Sequence, residues 1–274
     1  MVKLSIIIPA YNEEKRVERT LIEYTKFFSK RLRFEIIIVL NGCKDNTLKI
    51  VSKFSKKNKK VRYLNFKEAI GKGGAILEGF KVAKGNLIGF VDADMATPPN
   101  AFYDLIKNIN NYDGIIASRW LKGSKIGSKQ PLLKRIGSRG FNFLVRLFFN
   151  LKFKDTQCGA KLFKKYVIKD ILKEVGITRW AFDINLLYSA KRKNYKIKEI
   201  PTEWNAIKAS HFNLFKAMPE MFLGLLRLRL LYSRFKFIVD IYDRLPESLK
   251  IHHKWRWRME EKNQFVNKFV DLLF

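Results

Sequence analysis

The chain has 274 residues, 47% of them hydrophobic, and a formal net charge of +30 from 55 Lys and Arg against 25 Asp and Glu. Such apolar content excludes a disordered chain and suffices for one full core with an appendage. The charge asks for an anionic partner without naming it, since nucleic acid, acidic lipid and phosphorylated substrates share that sign. Cys43 and Cys158 lie far apart and match no zinc or redox spacing, so free thiols in a reducing compartment are expected. Met1-Val2-Lys3 leads straight into an apolar strand, so no cleavable leader is expected. No run reaches the roughly 18 uncharged apolar residues of a spanning helix. The longest candidates are interrupted by Arg146, and by Arg227 with Arg229.

"KLSIII" reads as a first strand, stopped at Pro9. A turn through Tyr11 and Asn12 leads to a helix with Val17, Leu21, Tyr24 and Phe28 at helical spacing. "FEIIIVL" is nearly continuous in apolar residues, as a parallel strand covered on both faces should be. "NGCKDNT" is a turn into a helix through Ile50 and Phe54; "VRYLNF" is a third strand, "GKGGAILEGFKVA" a glycine-led helix and "LIGFV" a fourth strand. Strand and helix alternating over short links predict a mostly parallel sheet flanked by helices. After the strand "DGIIASRW" the pattern changes. "PLLKRIGSRGFNFLVRLFFNLKF" is helical, apolar around much of its circumference and edged by cations. Residues 131–151 are therefore expected to form an interfacial amphipathic helix on an anionic membrane, with a core helix carrying a wet basic side as the alternative. "KLFKKYVI" and "IKEIPTEW" read as strands around the helix "FDINLLYSAKRK", and "MPEMFLGLLRLRLLYSRFKFIVDIY" as a second apolar-basic helix, kinked or started by Pro219. Two units are expected: residues 1–211, and a basic helical segment over 212–274.

Two acids stand out against the basic background. Asp92 and Asp94 sit one residue apart where the strand of Ile88 to Val91 ends. Like charges repel, and a divalent cation, magnesium or manganese, is the hard ion that carboxylates hold. The plainer alternative is a pair of solvated turn residues ahead of a helix opened by Pro98 and Pro99. In parallel sheets ligands bind off the carboxyl ends of the strands. Tyr11, Asn41, Asp92 and Asp94 all fall at such ends, which favours a site.

The ordered blocks "IIIPAYNEE", "NGCKDNT", "GKGGAILEGFKVAKG" and "FVDADMATP" resemble the inverting glycosyltransferases of family 2, with the GT-A fold. "ASRW", "DTQCGAKLF" and "RWAFDINLLYSAKRKNYKIKEIPTEW" narrow the resemblance to polyprenyl-phosphate sugar transferases, and within them to the dolichyl-phosphate β-glucosyltransferase branch. The likeness spans residues 3–210. It implies that Pro9, Tyr11 and Glu13 form the first nucleotide-contacting loop, and that Asn41 stands where an Asp usually contacts the base. It implies Asp92 near the ribose, with Ala93 beside it, Asp94 as the metal ligand at the diphosphate, and Arg119 at the sugar-diphosphate. The mannosyl branch has a second metal ligand, a Gln, where this chain has Ala96.

Inverting transfer requires a stabilised leaving diphosphate and a nucleophile in line behind the anomeric carbon. A lipid phosphate is already anionic near neutral pH, so a polyprenyl acceptor needs cations rather than a base. Lys134, Arg135, Ser138 and Arg139 are the candidates, with Lys208 and His211 further along; a solvated helix edge is the plain alternative. Lys72 in "GKGG" can meet a phosphate at a helix start, or the glycines only permit a turn. Asp183 stands where hydroxyl-transferring relatives place a base, and is either that or a positioning residue. The expected enzyme moves a hexose from a nucleotide-diphosphate sugar, UDP-glucose-like, to polyprenyl phosphate at the cytoplasmic membrane face. A hydroxyl acceptor is the alternative, with Asp183 as its base. Between Arg119 and Lys169 fourteen Lys or Arg face a single acid, Asp155. A nucleic-acid-binding protein would use that stretch but leaves the paired acids unexplained, so no nucleic-acid partner is expected.

Overall fold

The computed structural model describes residues 2–127, 132–175, 181–205 and 214–246, without the side chains of residues 132–134 and 214–218. Its first half alternates as the sequence predicts: β1 (Leu4–Ala10), α1 (Val17–Ser29), β2 (Phe34–Asn41), α2 (Thr47–Lys57), β3 (Val61–Phe66), α3 (Gly71–Val82), β4 (Leu87–Phe90) and α4 (Pro99–Lys107). There follow β5 (Gly114–Ser118), β6 (Lys125–Ile126), α5 (Leu132–Phe149), β7 (Lys161–Lys164), α6 (Lys165–Ile171), α7 (Phe182–Arg192), β8 (Ile197–Pro201), β9 (Glu203–Trp204), α8 (Leu214–Leu231) and α9 (Lys236–Arg244).

The main sheet has seven strands in the order β3-β2-β1-β4-β7-β5-β8. β1 to β4 are mutually parallel and β5 runs parallel to β8, while β7 lies antiparallel between β4 and β5. β6 and β9 form a separate parallel ribbon. Alternate residues of each strand serve opposite faces. Ile6, Ile8, Ile36 and Ile38 pack toward α1 and α4, with Leu21, Tyr24, Phe28 and Phe102 all fully buried. Ile7, Ile37, Val39 and Phe90 face the other layer, where α3, α5, α7 and α8 bring Ile76, Val145, Phe182 and Leu225. The segment beyond residue 211 thus shares this core through Leu225 and Leu228 of α8, both 0% exposed.

Three readings are corrected. "KLFKKYVI" is not one strand: pairing stops at Lys164, and α6 begins at once because Val167, Ile168 and Ile171 bury a helical stripe rather than alternate positions. "IKEIPTEW" divides into β8 and β9, so that Glu203 and Trp204 pair with β6 instead of the main sheet. The long apolar-basic helix is two helices. Pro219 lies inside α8 and neither starts nor ends it. The break comes after Leu231, where Ser233 accepts from Phe235 N–H through its side chain and α9 starts anew.

Candidate active site

The carboxyl ends of β1, β2 and β4 meet at one edge of the sheet, as parallel pairing in register requires. β1 ends in Pro9 and Ala10, and Tyr11 and Glu13 follow in a loop whose Asn12 adopts a left-handed φ of 51°. Glu13 N–H donates to Thr47 Oγ1 at 2.7 Å, and its carboxylate grips Arg16 through two bonds of 2.6 and 2.8 Å. Burial raises the Glu13 carboxyl to about 7 despite the Arg16 charge, with the charges of Asp94 and Asp92 adding to the rise. Asn41, at the end of β2, is buried, and its side-chain oxygen accepts from Ile70 N–H at 2.6 Å. It therefore anchors the approach to α3. Gly42 behind it has φ of 70°, and a side chain there would meet the Ala69 backbone at 2.8 Å.

Asp92 and Asp94 occupy a loop that is held from several sides. Thr20 of α1 donates to Ala93 O at 2.7 Å, and Tyr24 donates to Thr97 O at 2.8 Å. Ala96 N–H donates to Asp94 Oδ1 at 2.9 Å, and Asn205 N–H donates to Ala96 O at 2.8 Å. Between them Met95 sits at φ 62°, a costly region for a residue with a side chain. Strain of this kind persists only where the surroundings over-determine it, and functional sites are where it gathers. Asp92 pairs with Lys72 at 2.5 Å. Burial opposes the Lys72 ammonium, yet the charges of Asp92, Asp183 and Asp94 outweigh it and hold its pKa up. Asp92 also explains a glycine: a side chain at Gly159 would lie 1.9 Å from Asp92 Oδ2. Asp94 is pushed up by burial first and by the Asp92 charge second. Two crowded carboxylates at the base of a site are what a cation would relieve.

Arg119, just past β5, forms a bidentate pair with Asp155 at 2.7 and 2.9 Å, and its own N–H donates to the same carboxylate at 3.0 Å. Asp155 is 2% exposed; burial raises its carboxyl, but Arg119 outweighs this and holds it below the usual range. Asp155 N–H in turn donates to Glu199 at 2.6 Å. Asp183, at the start of α7, contacts Lys161 at 2.5 Å. Lys161 is 0% exposed, donates also to Cys158 O at 2.7 Å and lies 5.3 Å from the Phe90 ring centre. Cys158 is a free, buried thiol pushed up to about 12 by burial, and so is inert near neutral pH.

Beside this edge a cleft of about 410 Å³ opens between α5 and the β6–β9 ribbon. Arg119, Arg135 and Arg139 bring charge to it; Trp120, Ile126 and Trp204 make its apolar walls. The Arg119 guanidinium lies 5.4 Å from the Trp204 ring centre and 5.8 Å from that of Trp120, and Arg139 lies 5.4 Å from Trp120. The fold thus gathers Pro9, Tyr11, Glu13, Asn41, Lys72, Asp92, Ala93, Asp94 and Asp183 at one edge, and Arg119, Arg135 and Arg139 at the cleft. Ser138 is half-buried on α5 and does not line that cleft. The Lys134 side chain, Lys208 and His211 lie outside the described residues. Asp155, Gly159, Lys161, Trp120 and Trp204 escaped sequence reasoning as individuals. Asp155 carried a signal, as the single acid within a long cationic stretch.

Among the described residues no group of three His, Cys, Asp or Glu could hold a metal by itself. The donor set fits an ion that takes one carboxylate and finds its other oxygens on a diphosphate and water, the usual habit of magnesium.

Residues 5–172 match Glycosyl transferase family 2. The chain belongs to this family. It is 34% identical over 243 residues to a dolichyl-phosphate β-glucosyltransferase of Dictyostelium discoideum, covering 84% of this chain and 74% of that protein. A dolichyl-phosphate β-glucosyltransferase of Homo sapiens is also 34% identical, over 84% of this chain and 76% of its own. Among solved structures, glucosyl-3-phosphoglycerate synthase from Mycobacterium tuberculosis in complex with Mn2+, UDP-glucose and phosphoglyceric acid superposes with a TM-score of 0.62. That match has 15% identity and covers 85% of this chain and 81% of the synthase. The family 2 chain therefore has the GT-A fold, and it is a glycosyltransferase.

Proposed function

We propose that this glycosyltransferase moves a hexose from a nucleotide-diphosphate sugar, UDP-glucose or a close relative, onto a polyprenyl or dolichyl phosphate with inversion. The observation that carries the reading is a clustered arrangement of paired acids and a basic cleft at one edge of the sheet. The loop of Asp92 and Asp94 is tied to β9 through Asn205, and β9 forms one wall of the cleft that Arg135 and Arg139 enter. A donor held at the strand ends would then present its anomeric carbon toward a phosphate held by the α5 arginines. The names of the relatives support the same acceptor.

In this reading Tyr11 and Glu13 bound the base and ribose, with Asn41 shaping their floor through Ile70. Lys72 and Arg119 stand near Asp92, where they offset negative charge that builds on the leaving diphosphate. Asp94 would hold a magnesium or manganese ion, which supplies charge neutralisation at the diphosphate. Asp183 acts as a positioning residue, since its carboxylate is engaged by the buried Lys161 ammonium. An acceptor that arrives as an anion has no proton for it to remove.

The enzyme docks peripherally on the cytoplasmic face of an anionic membrane, its acceptor's tail remaining in the bilayer. Among the described residues no helix is long and apolar enough to cross a membrane. Phe143 and Leu147 of α5, both 65% exposed, stand one turn apart, with Arg146 beside them. The test is incubation of the chain with manganese, labelled nucleotide sugars and a short polyprenyl phosphate, followed by lipid extraction. Label is expected in the lipid phase from a glucose donor. Label passing only to hydroxyl acceptors in the aqueous phase would overturn the reading.

A further inference from the structure

The cleft has more apolar wall than a bare phosphate site needs. Arg135 and Arg139 account for the recognition of a phosphate, but Trp120, Ile126 and Trp204 are left half-buried around an opening of about 410 Å³. Cations would be enough if only the headgroup entered, and tryptophan is an expensive residue to leave facing water. We infer that Trp120, Ile126 and Trp204 form a subsite for the phosphate-proximal isoprene of the acceptor, so that the first carbons of the lipid leave the bilayer with the phosphate. This rests on the acceptor reading above.

The construction of the walls supports it. Arg119 and Arg139 both lie within reach of the Trp120 ring, and Arg119 within reach of Trp204, so cation–π contacts fix the two rings while the charges mark the cleft's polar end. Arg119 is itself fixed by the buried Asp155. Trp204 belongs to β9, whose ladder with β6 places Ile126 beside it in register. Gly127 N–H donates to Trp204 O at 3.0 Å, closing that ribbon. The wall is therefore built on paired strands rather than a loose loop. Its volume suits a phosphate with its neighbouring carbons, at the lower end of small-molecule sites, and is too small for a whole polyprenyl chain.

Calorimetric titration of the full chain with citronellyl phosphate and with inorganic phosphate, without donor, tests the subsite. The wild type should bind citronellyl phosphate on the order of tenfold or more tightly than phosphate, from the apolar carbons buried. Trp120→Gln and Trp204→Gln should each cut that preference to within about threefold. Trp204→Phe, which keeps an apolar ring, should retain most of it, and Arg139→Ala should weaken both ligands alike. Ile126→Asn provides an independent probe should a tryptophan variant fail to fold. A preference that survives the Gln and Asn variants overturns the subsite, as does its absence in the wild type. So does a loss of UDP-glucose affinity in the Gln variants with the acceptor preference intact, which would assign the rings to the donor. Transfer of label to polyprenyl phosphate by the wild type judges the acceptor reading separately, so the subsite can fall while that reading stands.

Discussion

Asp94 and Asp183 are carboxylates a short distance apart in function but opposite in circumstance. Among the described residues Asp94 has no cationic partner as near as the one Lys72 gives Asp92, and its burial leaves it a costly charge until a cation joins it. Asp94→Asn keeps the acceptor oxygen that Ala96 N–H uses, so the loop should survive while turnover falls on the order of 10²-fold or more. Circular dichroism with manganese-titrated single-turnover rates checks this, and EDTA should silence the wild type. Full turnover by the variant in EDTA would refute Asp94 as the metal ligand. Asp183, by contrast, already has its partner. Removing one half of a buried ion pair typically costs about 3–5 kcal/mol, because the other charge is stranded. Asp183→Asn should therefore lower the melting temperature while leaving the single-turnover rate of folded protein within about tenfold. A rate loss near the 10²–10⁴-fold that a general base supplies would instead make Asp183 the base and the acceptor a hydroxyl. Lys161→Met together with Asp183→Leu should recover stability that either change alone loses.

At the scale of elements, the loop after β4 and the loop after β5 are braced by different means. The first is held by hydrogen bonds from α1 and from Asn205 just past β9, the second by the Arg119–Asp155 pair. That pair gives the fold an acid limb. The Asp155 carboxyl is held below its ordinary value of 3.8, so its contribution is complete above that pH and is lost as pH falls through the lowered folded value. Asp155→Asn should destabilise the fold near neutral pH by about 3–5 kcal/mol. It should also flatten the fall in stability below about pH 4. Urea midpoints from pH 3 to 7 would show it; parallel pH profiles for variant and wild type would contradict the assignment. Strands and helices up to β5 were legible in the sequence because parallel strands are solid apolar runs and their helices carry a clear stripe. The strand-end acids were legible for the same reason: they interrupt a run. Residues 161–171 were not, because Leu162, Phe163, Val167 and Ile168 are apolar at spacings that suit either period, and only the place of β7 between β4 and β5 decides. Trp120 and Trp204 could not be paired in advance either, since their meeting depends on the β6–β9 ribbon, and β6 has two residues.

At the scale of the whole molecule, exposed apolar surface is spread over three helices and net positive charge over two of them, α5 and α8, since Lys236 and Arg244 of α9 are balanced by Asp240 and Asp243. Phe143 and Leu147 on α5, Phe222 and Leu226 on α8, and Phe237 and Ile241 on α9 are all more than a third exposed, and each pair is spaced by one helical turn. α5 packs on α8 through Phe148 and Phe222, and α8 is tied to α9 by a bidentate pair between Arg227 and Asp243 at 2.7 Å. Arg227 is thus spent on holding the helices together, whereas Arg146 and Arg229 make no such ion pair among the described residues. The proposed docking on an anionic bilayer would cover these apolar side chains and place the excess Lys and Arg of α5 and α8 near its headgroups. Each cation near an anionic bilayer contributes about 1 kcal/mol, so several give attachment that salt can reverse. The full chain should float with vesicles containing anionic lipid at low salt, float less at high salt, and not float with neutral vesicles. Phe143→Ser with Leu147→Ser should weaken flotation without unfolding the chain, because neither side chain belongs to the core. Substituting Lys134, Arg135 and Arg139 together should reduce flotation and transfer at once, since those positions would serve both the surface and the acceptor phosphate. An active preparation that fails to float with anionic vesicles at low salt would refute membrane docking and turn the search toward a soluble acceptor.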